Sequence, residues 1–256
     1  MPSKDGYDPL ANYYAEQGFA VTQPTHANSK VAEFNQSHPD APLFLNERML
    51  EMQTILDNLA SIEGDSPYIA GRLDKQKIAV VGHSAGSFTA AMLAGSQLKP
   101  SEGDLKASPN MPDERITAAV GKGGADLHYD VRERYPELNP DYSAMTTKTL
   151  VVYGDQDVSA HFTTRGSDWH ADPFYLSPES DYLLTLVGAK HGLGGIAGFD
   201  AKETDDENPN RLAITQKMTS AYLKFALYNN SAAIWQEACD ALKTFASEYA
   251  HVRSKN

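Results

Sequence analysis

The sequence predicts an α/β protein, a mostly parallel sheet with helices on both faces. Apolar, β-branched-rich runs alternate with helical patterns along the chain. Three of those runs end in residues that can do chemistry. Residues 77–82 lead into Gly82-His83-Ser84-Ala85-Gly86, 149–154 into Asp155-Gln156-Asp157, and 182–187 into Gly188-Ala189-Lys190-His191. Open parallel sheets hold their sites just past the carboxyl ends of the strands, where all three groups fall.

The elements follow in order. Asp8-Pro9 reads as a helix start, with the carboxylate as N-cap and proline at the first helical position. Leu10, Tyr13 and Tyr14 share one face of that helix and Gly18 ends it. Phe19-Ala20-Val21-Thr22 reads as a short strand closed by Pro24. Leu45, Met49, Met52, Ile55, Leu56, Leu59 and Ile62 recur at steps of three and four, predicting one long helix with a buried stripe. The strand at 77–82 and the helix-prone 87–93 come next, then a strand at 116–120. Asn208-Pro209 caps a helix carrying Leu212, Ile214, Met218, Tyr222 and Phe225. Ser231 opens a last helix with Ile234, Trp235, Ala238, Leu242 and Phe245, and both stripes read as core. The Ser- and Pro-rich 100–113 and the acidic 200–210 read as surface loops rather than domain boundaries, which leaves one domain over residues 1–256.

Composition narrows the function classes. A chain of 256 residues with 41% hydrophobic content can bury one large core. A net charge of −12 argues against nucleic acid or an anionic membrane as partner. No apolar run approaches a transmembrane length and no apolar signal segment opens the chain, which favours the cytoplasm. The single Cys239 allows no intrachain disulfide and no cysteine-based zinc cluster, and His-Glu-x-x-His does not occur.

Gly82-x-Ser84-x-Gly86 alone is a weak signal. A strand before it and a helix after it make it specific. The turn is expected to be too tight for a Cβ at either glycine and to lift the Ser84 hydroxyl clear of the sheet. A serine hydroxyl at neutral pH needs a base, and the base needs an orienting acid. The later strand ends supply His191 for the first and Asp155 or Asp157 for the second.

With the elbow, the Gly154-x-x-Asp157 turn and the Gly188-Ala189-Lys190-His191 turn, the chain resembles the α/β-hydrolase superfamily. More narrowly, Arg165-Gly-Ser-Asp-Trp169 with Asp172-Pro173, and 191–198, resemble the bacterial branch related to dienelactone hydrolases, chlorophyllases and platelet-activating-factor acetylhydrolases. The resemblance covers about residues 5–230. It implies a catalytic order of Ser84, Asp157, His191, because the family spacing selects Asp157 and leaves Asp155 as a turn cap. It places the Ala85 N–H in the oxyanion hole. The implied activity is hydrolysis of a small-molecule carboxylic ester, requiring no metal or organic cofactor. Loops 98–114, 121–146 and 158–180 would wall the pocket, and Tyr129, Phe162, Trp169, Phe174 and Tyr175 suit an apolar group there.

The family pattern also has three strands ahead of the helix at Asp8, the third lying between the strands matching 19–22 and 77–82. Its exit loop carries the second oxyanion donor, whose loss costs about 3–4 kcal/mol in the chemical step. An N-terminally truncated fold is therefore expected, a poor esterase as it stands, with the strands at 19–22 and 77–82 about 10 Å apart or in irregular contact. A segment ahead of Met1 could have held a signal peptide. The alternative is a catalytically impaired or non-catalytic relative that binds a ligand or partner. A second alternative, a nucleotide binder, rests on Gly192-x-Gly194-x-x-Ala197, but no helix opens directly after it. His83 is expected beneath the elbow, and His128, His161 and His170 on the surface or lining the pocket. Oligomeric state is not legible in these patterns.

Overall fold

The computed structural model describes residues 6–27, 29, 44–99, 110–122, 140–158, 163, 165–198, 205–228 and 231–255. Its sheet has five strands in the order β1 (Ile78–His83), β3 (Ile116–Lys122), β5 (Lys148–Gly154), β6 (Tyr182–Leu186) and β7 (Ala250–Ser254). The first four are parallel and β7 joins antiparallel, pairing Tyr182 with Ser254. A separate two-stranded antiparallel ladder joins β2 (Gln97–Leu98) to β4 (Pro140–Asp141). The α/β class is as the sequence predicts.

Strand alternation sends side chains to two faces, and each face has its own core. Ala118, Val120, Leu150, Val152, Leu184 and Leu186 pack against α1 (Asp8–Glu16), α6 (Pro209–Leu227) and α7 (Ala232–Phe245). On the other face, Val80, Ile116 and Ala119 meet α2 (Phe44–Asp57) and α4 (Ala85–Leu93). Val151 and Leu183 meet the short α5 (Asp172–Leu176) on a 3-10 turn at Ser167–Ala171. Helices thus cover both faces, and the parallel strands are accordingly mostly apolar. No helix among the described residues is long and apolar enough to cross a membrane.

Several local expectations are corrected. Residues 19–22 form no strand; the segment runs without a ladder partner, and an isolated run gains nothing from β-propensity without neighbours. Among the described residues β1 is the edge of the sheet. The long helix over 45–62 is two helices, α2 and α3 (Leu59–Asp65). The break falls at Asn58, whose side-chain amide donates to the Thr54 carbonyl and competes with the helical ladder. At the start of α1 the cap residue is Tyr7, at φ 64°, and Asp8 lies inside the first turn. Asn208 caps α6 as expected, its Oδ1 accepting from the N–H groups of Asn210 and Arg211. In α7, Trp235 and Leu242 are buried, whereas Phe245 is 83% exposed and not core.

Candidate active site

The elbow is built from β1 and α4. Ser84 sits between them at φ 56°, ψ −125°, a conformation that residues with a side chain seldom adopt. A Cβ on Gly82 would stand 1.9 Å from the Gly86 carbonyl oxygen and 2.2 Å from its carbon, backbone against backbone, so glycine alone fits. Gly86 departs from expectation: a Cβ there would meet the Arg48 Nη2 at 3.8 Å, an ordinary contact. The tightness is one-sided. The Ser84 N–H donates to the Lys122 carbonyl at 3.0 Å, prolonging the β1–β3 ladder one residue past the strand. The first bond of α4 runs from Ser87 N–H to the Ser84 carbonyl. Ala85 N–H therefore lies in the first turn, where donors lack intrahelical acceptors and the dipole is positive.

Asp157 and His191 come together from the loops leaving β5 and β6. Asp157 is 3% exposed, and its Oδ2 lies 3.0 Å from His191 Nδ1. The two loops are stitched by Asp155 N–H to the Leu186 carbonyl and Gln156 N–H to the Ala189 carbonyl. They run so close that a Cβ on Gly154 would stand 2.2 Å from the Ala189 oxygen. Asp155 caps this turn, accepting the Gly188 N–H at 2.7 Å. Beyond His191, the Asp206 carboxylate accepts from Lys190 N–H at 2.8 Å and Gly194 N–H at 3.3 Å. A Cβ on Gly194 would stand 2.7 Å from Arg211 Cβ. The Gly192-x-Gly194 pattern is thus a packing device against the start of α6, with Asp206 where a phosphate would have to sit.

His83 ties the elbow to the loop leaving β6. Its Nε2 lies 2.8 Å from the His191 carbonyl, which can only accept, so Nε2 carries the proton. Nδ1 then accepts from the Tyr7 hydroxyl, 2.8 Å away. The His83 and His191 rings are 4.6 Å apart. Burial, then the neighbouring His191 and Lys122 charges, push the His83 pKa down to about 3, so the ring is neutral and the direction of these bonds is fixed.

His170 corrects the expectation of a surface or pocket-lining histidine. It is 1% exposed, its ring tilted 35° against that of Trp169 at 4.0 Å, with Nε2 3.1 Å from Asp157 Oδ2. Burial raises the Asp157 pKa, but His170 and His191 outweigh it and hold the carboxyl well below the usual carboxylate range. Nothing in the sequence separates His170 from the other loop histidines; only the fold brings it to Asp157. Trp169 and Phe174 are likewise core rather than pocket wall, while the exposed Tyr175 accepts from Arg253 Nη1. His128, Tyr129, His161 and Phe162 lie outside the described residues. Among the described residues no group of three or more His, Cys, Asp or Glu side chains is placed to hold a metal ion.

No protein-family model matches the sequence, and no curated protein matches it. Solved structures do match, among them a truncated form of a carbohydrate esterase from gut microbiota. That chain shares 15% identity with this one over 85% of this chain and 78% of its own, at a TM-score of 0.47.

Proposed function

We propose that this chain is a serine hydrolase that cleaves a carboxylic ester through an acyl-enzyme. The observation that carries the reading is the Asp157–His191 contact at 3.0 Å, its acid buried, at the same carboxyl end of the parallel strands as the strained Ser84. With Nδ1 bonded to Asp157, His191 exchanges protons with the Ser84 hydroxyl through Nε2. Ser84 Oγ attacks the acyl carbon while its proton passes to Nε2. The Ala85 N–H, at the positive end of α4, donates to the developing oxyanion. Collapse expels the alcohol, which takes the proton back from Nε2, and water repeats the sequence on the acyl-enzyme. Asp157, ionised at neutral pH, holds the imidazole in the required tautomer and balances its charge. The Tyr7–His83–His191 chain keeps the base's backbone in register with the elbow.

The test is covalent. A fluorophosphonate probe is expected to label the protein, and Ser84→Ala to abolish both labelling and hydrolysis of short p-nitrophenyl esters. Labelling that survives in the alanine variant would move the nucleophile elsewhere. No labelling of the parent would favour a ligand-binding relative.

A further inference from the structure

Asp157 serves two imidazoles, and the mechanism above uses one. His191 Nδ1 and His170 Nε2 stand 3.0 and 3.1 Å from the same oxygen, Oδ2. The His170 side chain is 2% exposed and that of Asp157 3%, so water does not share this contact. Neither His170 ring nitrogen makes an aligned hydrogen bond, so Nε2 stands at ion-pair distance from Oδ2 without its N–H pointing at that oxygen. A buried imidazole in that position forfeits about 1–3 kcal/mol of solvation, a cost that packing against Trp169 alone would not require, since a phenyl ring would pack as well. The ring is also held in place. Ser167 Oγ donates to the Asp155 carbonyl at 2.6 Å, tying the 3-10 turn to the loop that carries Asp157. Arg165 clamps Asp172 with both Nη groups and reaches Asp168, tying the turn to α5.

We infer that His170 is a positioning residue: a small turn of its ring aligns Nε2–H on Asp157 Oδ2, and that carboxylate is then divided between two imidazoles, which makes His191 a weaker base. The inference rests on reading Ser84, Asp157 and His191 as the reacting set. A carboxylate oxygen can accept two donors, but each dilutes the charge the other sees. His191 thus binds its proton less tightly and stays an unprotonated base to a lower pH. The other titratable groups around this cluster are Asp155, at the end of β5, and Arg165, Asp168 and Asp172, around the 3-10 turn and α5. On the elbow side stand His83, Tyr7 and Lys122. The three acids of this set are committed to Gly188 and Arg165 rather than to either imidazole.

Two variants separate donation from packing. His170→Gln keeps an N–H that can reach Oδ2, and His170→Phe keeps the ring packing without it. In His170→Phe the His191 pKa, followed by imidazole NMR, is expected to rise by at least about half a unit, with the acid limb of kcat/KM moving by the same amount. His170→Gln is expected to keep both near the parent's values. A folded His170→Phe protein with an unshifted His191 titration overturns the inference, and so does a His170→Gln protein that behaves like it. Nitrogen-15 imidazole spectra of the parent decide independently of folding: His170 in the Nδ1–H tautomer cannot donate from Nε2 and would overturn it. Because the titration is read without turnover, a shifted His191 in a protein that fails to hydrolyse esters refutes the hydrolase reading while supporting the shared carboxylate.

Discussion

At the scale of single residues, the two acids of the β5 turn stand two positions apart and have different partners. Asp157 Oδ2 faces two imidazoles and Asp155 Oδ1 faces a backbone N–H. Replacing Asp157 by Asn keeps the shape but turns an acceptor-only group into one that can present N–H to His191, favouring the wrong tautomer. Turnover of Asp157→Asn is expected to fall by about four orders of magnitude, with little change in melting temperature beyond the loss of an ion-pair contact. Asp155→Asn retains an oxygen for Gly188 N–H, so a loss of about 1 kcal/mol in stability and nearly parental turnover are expected. Steady-state rates and thermal melts of the two variants check the contrast. The reverse ranking would assign the acid to Asp155.

At the scale of elements, β6 is joined to α6 and α7 by an aromatic cluster. Tyr182, Tyr222, Phe225 and Trp235 meet with centroids 4.9–6.4 Å apart, mostly edge to face. Tyr222 is fully buried, and its hydroxyl has no hydrogen-bond partner. Tyr222→Phe removes a desolvated hydroxyl without opening a cavity, so it is expected to be neutral or to stabilise by about 1 kcal/mol. Truncation of its neighbour, Trp235→Ala, is expected to cost about 3–5 kcal/mol. Denaturant melts measure both, and a destabilising Tyr222→Phe would show that the hydroxyl is bonded in solution. These elements also show what a sequence discloses. β1, β3, β5 and β6 were legible because strands covered on both faces are mostly apolar. The Asn208 cap was legible because its bonds are local. Phe19–Thr22 misled because a strand is defined by its ladder, and β7 was missed because Ala250–Ser254 carries only a short alternating pattern. The contacts of His170 and Tyr7 to the site span long sequence separations, and no local pattern encodes such a meeting.

At the scale of the whole molecule, the interior holds charge-bearing groups that resist protonation, and this sets how stability follows pH. Lys122, fully buried at the end of β3, donates Nζ–H to the Tyr14 hydroxyl at 3.1 Å. Tyr14 in turn lies 2.7 Å from Thr219 Oγ1, which donates to the Thr215 carbonyl. Among the described residues no acid partners that chain, and burial pushes the Lys122 pKa from 10.5 down to about 7. Between pH 7 and 10.5 the unfolded chain therefore binds a proton that the folded chain does not, and stability rises with pH. Below about pH 7 both states hold the proton and the penalty is constant. His83 acts in the same sense lower down: its pKa falls from 6.5 to about 3, so stability drops as pH falls through that window. Asp157, held below its ordinary range by two imidazoles, loses its contribution as acidification protonates it. Cys239, pushed up to about 11 from 9.0, works in the opposite sense above pH 9. Lys255, lowered from 10.5 by burial, adds in the same sense as Lys122, so removal of the Lys122 amine is what assigns the slope. Between about pH 7 and 9 the slope attributable to Lys122 is at most about 1.4 kcal/mol per pH unit. Lys122→Met preserves the apolar stem and leaves Tyr14 its bond to Thr219. It is expected to raise stability at pH 7 and to flatten the rise between pH 7 and 9, as measured by urea unfolding at each pH. A Lys122→Met protein with the parent's slope would show that the proton taken up on unfolding belongs to another group.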